Sequence, residues 1–366
     1  MSTPSRILHV CECLPGGPSS YLQEILPQQI ERFGNGNVGL LAPGVQVAGF
    51  HGIQGLDVMA TSNEKRSPLA LLGFALALRR GVRSFRPDII HLHSTLSGGI
   101  GRLVCLSLRR RPKVVYCAHG WIIDPDRNAK GRKILGFIER RLLDLTDRVI
   151  NISPHETEFL KQYGIEGDKV QLILSGIKDI EPTRTNSEPR EGPPRLVFIG
   201  RLDRQKGFDR LLKAAQRVSQ EEVTLIAIGD VVRGNDRPSS EGIAIELTGW
   251  LPRGEVADAM AAADAIVMPS RWEGLPLVAL EAMRAGKAII ATDGGAFTHL
   301  LRDGENGVLI DPEDPEFLAT VLKTYSREDF EAMGQVARRD FREKYLASRM
   351  SDEICELYGD LVAENV

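Results

Sequence analysis

Aromatic side chains make up only 6% of this 366-residue chain. Nowhere do they interleave with runs of Lys and Arg, and the net charge is −3, so no nucleic-acid partner is expected. Cysteine is equally sparse. Cys11, Cys13, Cys105, Cys117 and Cys355 are odd in number, scattered, and form no CxxC pair. Reduced, mostly buried thiols are expected, without a disulfide framework or a zinc cluster. No apolar run reaches the ~18 residues of a spanning helix. The segment MSTPSRILHVCECLPGG lacks the apolar stretch and cleavage site of a secretory leader, which implies a cytoplasmic location.

Hydrophobic residues at 42%, charged residues at 26%, 36 Gly and 20 Pro describe a globular chain. Its length exceeds what one hydrophobic core usually serves, so two domains are expected. The charge is unevenly divided, +7 over residues 1–180 and −10 over 181–366. That split suggests a first lobe facing an anionic partner or surface.

Short apolar runs without polar alternation recur in the first half: RILHVC, VGLLAP, PDIIHLH, KVVYCAHG, DRVINIS and KVQLILSG. Such runs mark strands buried on both faces, as in a parallel sheet covered by helices. Amphipathic stretches between them give an α/β doubly wound domain over residues 1–180. Residues 181–194, EPTRTNSEPREGPP, hold four prolines and no apolar side chain and read as a linker. The pattern restarts with RLVFIG, VTLIAIG, IAIELTGW, AIVMPS, KAIIATDGG and GVLIDP. A second α/β domain is expected over 195–345, with a C-terminal helix, 346–366, packing back on the first domain.

Three loops at strand ends could carry chemistry. In RLVFIGRLDRQKGFDRLL a strand ends at Gly200, Arg201 and Lys206 follow, and Gly207 allows a tight turn into a helix. Cations beside a helix start at the carboxyl edge of a parallel sheet suit a diphosphate; a solvated charged turn would read the same. In RWEGLPLVALEAMRAG, Pro276 suits a first helical turn and Gly286 a helix end. Glu273 falls before that helix and Glu281 within it, and both could accept hydrogen bonds from sugar hydroxyls or a ribose. Alternatively Glu273 is a cap and Glu281 an exposed helix carboxylate. In LPGGPSSYLQE, Gly16 and Gly17 allow close approach of backbone to a ligand, and Ser19 or Ser20 could cap the helix. His93 and His119 end strands of the first lobe, where a neutral imidazole could meet a sugar hydroxyl or serve structure alone.

These motifs resemble those of the retaining glycosyltransferases called group 1, or family four, which have the GT-B fold. The resemblance spans nearly the whole chain through LPGG, RPDIIHLHS, YCAHG, VINISPHE, FIGRLDRQKGFDRLL, PSRWEGLPLVALEAMRAGKAIIATDGG and RDGENGVLIDP. It implies two Rossmann-like doubly wound domains facing a cleft, the first for acceptor and the second for nucleotide-sugar. By the same resemblance, Arg201 and Lys206 hold the donor diphosphate and Glu281 the nucleotide ribose. Glu273 contacts the donor sugar, with Gly274, Leu275 and Pro276 beside it. His119 contacts the sugar from the first lobe, and Gly16 and Gly17 cover the diphosphate. His119, Glu273, Arg201 and Lys206 are thus the catalytic candidates. Transfer with retention, no cofactor and no metal are implied, with UDP the favoured nucleotide and GDP the alternative. One departure is Ser175-Gly176, where family members commonly carry Asn-Gly.

Rival readings fit less well. GNGNVG (34–39) formally matches a dinucleotide fingerprint but follows a helix and precedes a strand, the reverse of the required order. Asp124-Pro125-Asp126 and the pair His91 and His93 offer metal ligands, each without a third ligand nearby in sequence. A glycoside hydrolase using Glu273 and Glu281 leaves the phosphate loop unexplained. A nucleotide-sugar 2-epimerase and a catalytically silent nucleotide-sugar-binding protein remain as alternatives. Between Arg79 and Arg148 lie 16 basic and 6 acidic residues, with Ile134, Leu135 and Phe137 set among cations. An anionic membrane surface and a glycan or lipid-linked acceptor are the partners this suggests, as in bacterial surface polysaccharide synthesis. An ordinary solvated helix face would look alike.

Overall fold

The computed structural model describes residues 5–62, 67–123, 129–180, 192–231, 242–311 and 314–364. Residues 181–191 of the expected linker, and Asp124-Pro125-Asp126, lie outside the described residues. The chain divides into two compact units, Met1–Lys178 with Leu346–Val366, and Asp179–Tyr345.

The first unit is built on seven parallel strands: β1 (Ile7–Cys11), β2 (Val38–Pro43), β3 (Leu56–Thr61), β4 (Ile89–His93), β5 (Lys113–Cys117), β6 (Arg148–Asn151) and β7 (Val170–Leu172). Their order is β3-β2-β1-β4-β5-β6-β7. Helices α1 (Gly17–Phe33), α2 (Pro68–Phe85), α3 (Thr95–Leu106), α4 (Ala129–Leu143) and α5 (Pro154–Lys161) connect them. β1 and β4 are buried at every position, which is why both lack polar alternation. β3, LDVMAT, was missed by the sequence reading. It is the edge strand and mostly half-exposed, so it has no continuous apolar run to announce it.

The second unit carries β8 (Arg195–Ile199), β9 (Thr224–Ile228), β10 (Glu246–Gly249), β11 (Ala265–Met268), β12 (Ala288–Thr292) and β13 (Gly307–Ile310) in the order β10-β9-β8-β11-β12-β13. Its helices are α6 (Phe208–Ala215), α7 (Arg253–Ala262), α8 (Leu277–Arg284), α9 (Phe297–Leu300), α10 (Pro315–Thr324) and α11 (Arg327–Lys344). The last, α12 (Ala347–Ala363), belongs to the first unit. Ala347 N–H donates to the Ile177 carbonyl at 3.0 Å. A Cβ on Gly176 would fall 2.4 Å from the Leu346 carbonyl oxygen, so only glycine fits this join.

Both sheets reverse strand order once, between β1 and β4 in the first and between β8 and β11 in the second. In a doubly wound sheet that reversal opens a crevice outside the carboxyl ends of the strands, where ligands bind. The loops singled out from sequence after β1, β8 and β11 all leave from these positions.

Candidate functional site

In the second unit the β8–α6 and β11–α8 loops are stitched together. Gly207 adopts φ +69 as the residue before α6, and a Cβ there would fall 1.8 Å from the Pro269 carbonyl oxygen. Side-chain-free, left-handed backbone is therefore what lets the two loops touch. Arg271 N–H donates to the Gln205 carbonyl at 2.8 Å. The Arg271 guanidinium grips Asp209 with two hydrogen bonds, at 2.6 and 2.8 Å, and holds that carboxyl below its ordinary range. A second close approach was not legible in sequence: a Cβ on Gly229 would fall 1.8 Å from the Gly200 carbonyl oxygen, bringing the β9 end against the phosphate-type loop.

This stitching brings three of the expected residues together. Lys206 Nζ donates to Glu273 Oε1 at 2.6 Å, and Ser270 Oγ donates to the same oxygen at 3.0 Å. The Glu273 side chain is only 9% exposed, so its charge is matched within a largely dry pocket. Arg201 pairs with Asp203 at 3.2 Å and donates to Gln205 Oε1 at 2.6 Å. Asp203 also accepts from Lys206 N–H at 2.9 Å, which fixes the turn that carries both cations. Asp203, Gln205 and Ser270 are the supporting residues that the sequence reading overlooked. They are short-range polar residues in a charged loop, and nothing in their spacing distinguishes them.

Glu273 is a loop residue with no capping role. α8 begins at Leu277, with Pro276 standing one position ahead of it as the N-cap and Gly274 and Leu275 leading in. The sequence had placed Pro276 inside the first turn; its ψ of 114 is extended instead. The helix ends where expected. Gly286 takes φ +68, its N–H donates to Met283, and Lys287 N–H donates to Ala282, both at 3.0 Å, which is the Schellman closure. Glu281 on α8 is half-buried, and its carboxylate makes no hydrogen bond among the described residues. Burial raises its pKa, opposed by Arg284 and Arg253. The exposed-carboxylate alternative is thereby excluded for Glu281.

In the first unit, α1 starts at Gly17, with Gly16 as its N-cap at φ +95 and no side-chain cap. Ser19 and Ser20 lie inside the helix, which corrects their expected capping role. A Cβ on Gly16 or Gly17 would meet nothing within 4 Å, so the space over this turn is open. Glu12, in the same loop, accepts from Ser97 N–H at 3.2 Å and from the Ser94 hydroxyl, tying the β1 end to the β4 end across the order reversal. Ser94 (φ +74) and His119 (φ +55) hold left-handed backbone at the ends of β4 and β5, a strain that in non-glycine residues concentrates at functional sites.

Behind these ends lies an imidazole cluster. His9 pairs in register with His91, and Cys11 with His93, so β1 and β4 point three imidazoles the same way. The ligand nitrogens of His9, His91 and His93 lie within 4.8 Å of one another. His9 is therefore the third nitrogen that His91 and His93 lacked in sequence, distant along the chain but adjacent across the sheet. Most of these nitrogens are engaged, while His91 Nε2 is buried without a hydrogen-bond partner among the described residues. His9 Nδ1 and His93 Nε2 share a hydrogen bond of 2.9 Å, His91 Nδ1 and the Tyr358 hydroxyl one of 2.6 Å, and His93 Nδ1 and His119 Nε2 one of 2.9 Å. Burial lowers the pKa of His9 to about 4 and of His119 to about 3, so these rings are neutral. Glu156, also unnoticed in sequence, is buried near Cys117 in the same unit. It accepts from Ile152 N–H at 3.0 Å, yet burial still lifts its pKa to about 7. Ser175 is buried as well, its N–H donating to Ile152 at 3.3 Å.

Two doubly wound sheets, with a cation-bearing turn joined to the Glu273 carboxylate at the carboxyl edge of the second, define the class of GT-B glycosyltransferases. The chain belongs to this family: residues 16–179 match the model "Glycosyltransferase Family 4" and residues 193–327 the model "Glycosyl transferases group 1". It is similar to an uncharacterized 41.2 kDa protein in the cps region of Klebsiella pneumoniae, 26% identical over 81% of this chain and 86% of that one. It is also similar to the UDP-Gal:alpha-D-GlcNAc-diphosphoundecaprenol alpha-1,3-galactosyltransferase of Escherichia coli, 24% identical over 78% of this chain and 79% of that one. Among solved structures, Anabaena HepE in complex with UDP-glucose superposes with a TM-score of 0.79 at 19% identity, over 97% of this chain and all of that one, a likeness of fold.

Proposed function

We propose that this protein transfers a hexose, with retention and without a metal, from a UDP-sugar to a glycan or lipid-linked acceptor in surface polysaccharide synthesis. The observation that carries the reading is the Lys206–Glu273 contact. A cation suited to a leaving diphosphate beside a carboxylate able to accept from sugar hydroxyls supports this reading. As the nucleoside diphosphate departs it gains negative charge, and Lys206 and Arg201 stabilise that charge without proton transfer. The half-buried, unbonded Glu281 carboxylate suits two ribose hydroxyls, which would supply the hydrogen bonds it lacks. UDP is favoured because the UDP-glucose complex of HepE and the UDP-Gal enzyme of Escherichia coli share fold or sequence with this chain.

The acceptor side rests on the first unit. α4 buries only Gly136 and Glu139, while Ile134, Phe137 and Ile138 are 61%, 60% and 45% exposed. Leu135, expected among them, instead packs toward Ile123 and Leu160. Lys130, Arg132, Lys133, Arg140 and Arg141 sit on the same helix, an apolar stripe among cations that suits an anionic lipid surface. No helix among the described residues is long and apolar enough to cross a membrane. Incubation with a panel of UDP- and GDP-sugars and a polyprenyl-diphosphate-linked sugar tests the reading. Released UDP with a new glycoside of unchanged anomeric configuration is expected. An isomerised nucleotide sugar, or binding without turnover, would refute it. Flotation should carry the protein with anionic and not neutral vesicles, and loss of that difference counts against lipid contact.

A further inference from the structure

Three of the imidazoles, His9, His93 and His119, form a hydrogen-bonded series whose direction is set at one end. Gln29 Oε1 lies 2.7 Å from His9 Nε2, and an amide oxygen only accepts. His9 therefore carries its proton on Nε2. A neutral imidazole has one N–H, so His9 Nδ1 accepts from His93 Nε2, 2.9 Å away. His93 Nδ1 then accepts in turn from His119 Nε2, also at 2.9 Å. His9, Gln29 and His93 are fully buried, and the lowered pKa values leave no second proton to relax this order. His119 is left with its lone pair on Nδ1. The neighbour of that atom is Cys117 Sγ at 3.7 Å, a weak donor that a hydroxyl can replace.

We propose that Gln29 is a positioning residue that, through His9 and His93, fixes His119 in its Nε2-protonated tautomer, so that Nδ1 accepts a hydrogen bond from a sugar hydroxyl of the substrate. The identity of the substrate rests on the glycosyltransferase reading; the tautomer does not. Gln29 touches no substrate, and its effect passes through three links. The strained backbone of His119 holds the ring end of the series in place, while β1 and β4, paired in register, hold the middle.

Nitrogen-15 histidine spectra of the full-length protein decide the direction. The expected result is His119 with a protonated Nε2 and an unprotonated Nδ1; the reverse assignment overturns the proposal. Gln29→Met, similar in length but without an acceptor, should mix the two His119 tautomers. It should also lower kcat about tenfold, roughly the worth of one hydrogen bond, with KM for the nucleotide sugar little changed. A folded Gln29→Met protein that keeps both the tautomer and the rate overturns the role of Gln29. Should this variant not fold, the wild-type spectrum alone still decides the direction. The expected tautomer without sugar transfer from any donor supports the series and refutes only the glycosyltransferase reading.

Discussion

Glu156→Gln should stabilise the first unit at neutral and higher pH and do almost nothing in acid. Glu156 is 5% exposed. Burial lifts its pKa from the ordinary 4.5 to about 7, opposed by backbone donors at Ile152 and Gly120. The folded state thus binds the proton more tightly than the unfolded chain. Its contribution is fully present below about pH 4.5 and is lost as pH rises through 7. At about 1.4 kcal/mol per pH unit, the ionised carboxylate costs roughly 3 kcal/mol above pH 7. Glutamine keeps an acceptor for Ile152 N–H and carries no charge. The buried histidines of the same unit act with the opposite sign. Their pKa values are lowered, so their contribution is present above pH 6.5 and is lost as pH falls toward about 4 for His9 and about 3 for His119. Both proteins carry the same histidines, so the difference between wild type and Glu156→Gln cancels them. Hydrogen exchange of β5 and β6 amides reads this unit apart from the other. The variant's advantage should grow by roughly 3 kcal/mol between pH 4.5 and 8. A difference independent of pH would refute a protonated, buried Glu156.

Lys206→Ala should slow sugar transfer about a hundredfold or more, the usual cost of losing one fixed charge aimed at a developing anion. It also leaves Glu273, 9% exposed, without its cation. Single-turnover kinetics with saturating donor measure the effect, and an unchanged rate would remove Lys206 from the chemistry. Glu281→Gln should weaken UDP about tenfold or more, because a charged acceptor is exchanged for a neutral one. Titration calorimetry with UDP tests this, and equal affinity argues against a ribose contact. The buried pair Arg102 and Glu139, 2.8 Å apart and 1% and 4% exposed, holds α4 to α3, with the guanidinium stacked 4.2 Å over Tyr116. Arg102→Met alone should cost about 3–5 kcal/mol by stranding Glu139, and adding Glu139→Leu should recover most of it. Thermal unfolding of the single and double variants separates these outcomes.

The sequence by itself determined the strands that are buried on both faces. β1, β4, β8, β11 and β12 are short runs dominated by apolar residues because most of their positions are buried on both faces of the sheet. It likewise determined Gly207 and Gly286, where left-handed backbone leaves glycine as the unstrained choice. Short-range motifs sufficed to single out Arg201, Lys206, Glu273 and Glu281. What each of those side chains touches was decided only by tertiary structure. The Lys206–Glu273 bond spans 67 positions and exists because β8 and β11 are neighbours in the sheet although two helices, α6 and α7, and two strands, β9 and β10, separate them in sequence. Edge strand β3 escaped notice because its half-exposed residues lack any period strong enough to read. His9, Gln29 and Glu156 were silent for a related reason. A polar residue inside an apolar run gives no hint of its partner until parallel pairing sets His9 opposite His91 and packing brings the Gln29 amide to its Nε2. Burial then turns ordinary imidazoles and an ordinary carboxyl into groups with displaced pKa values, a property of the surrounding dielectric that no local spacing encodes.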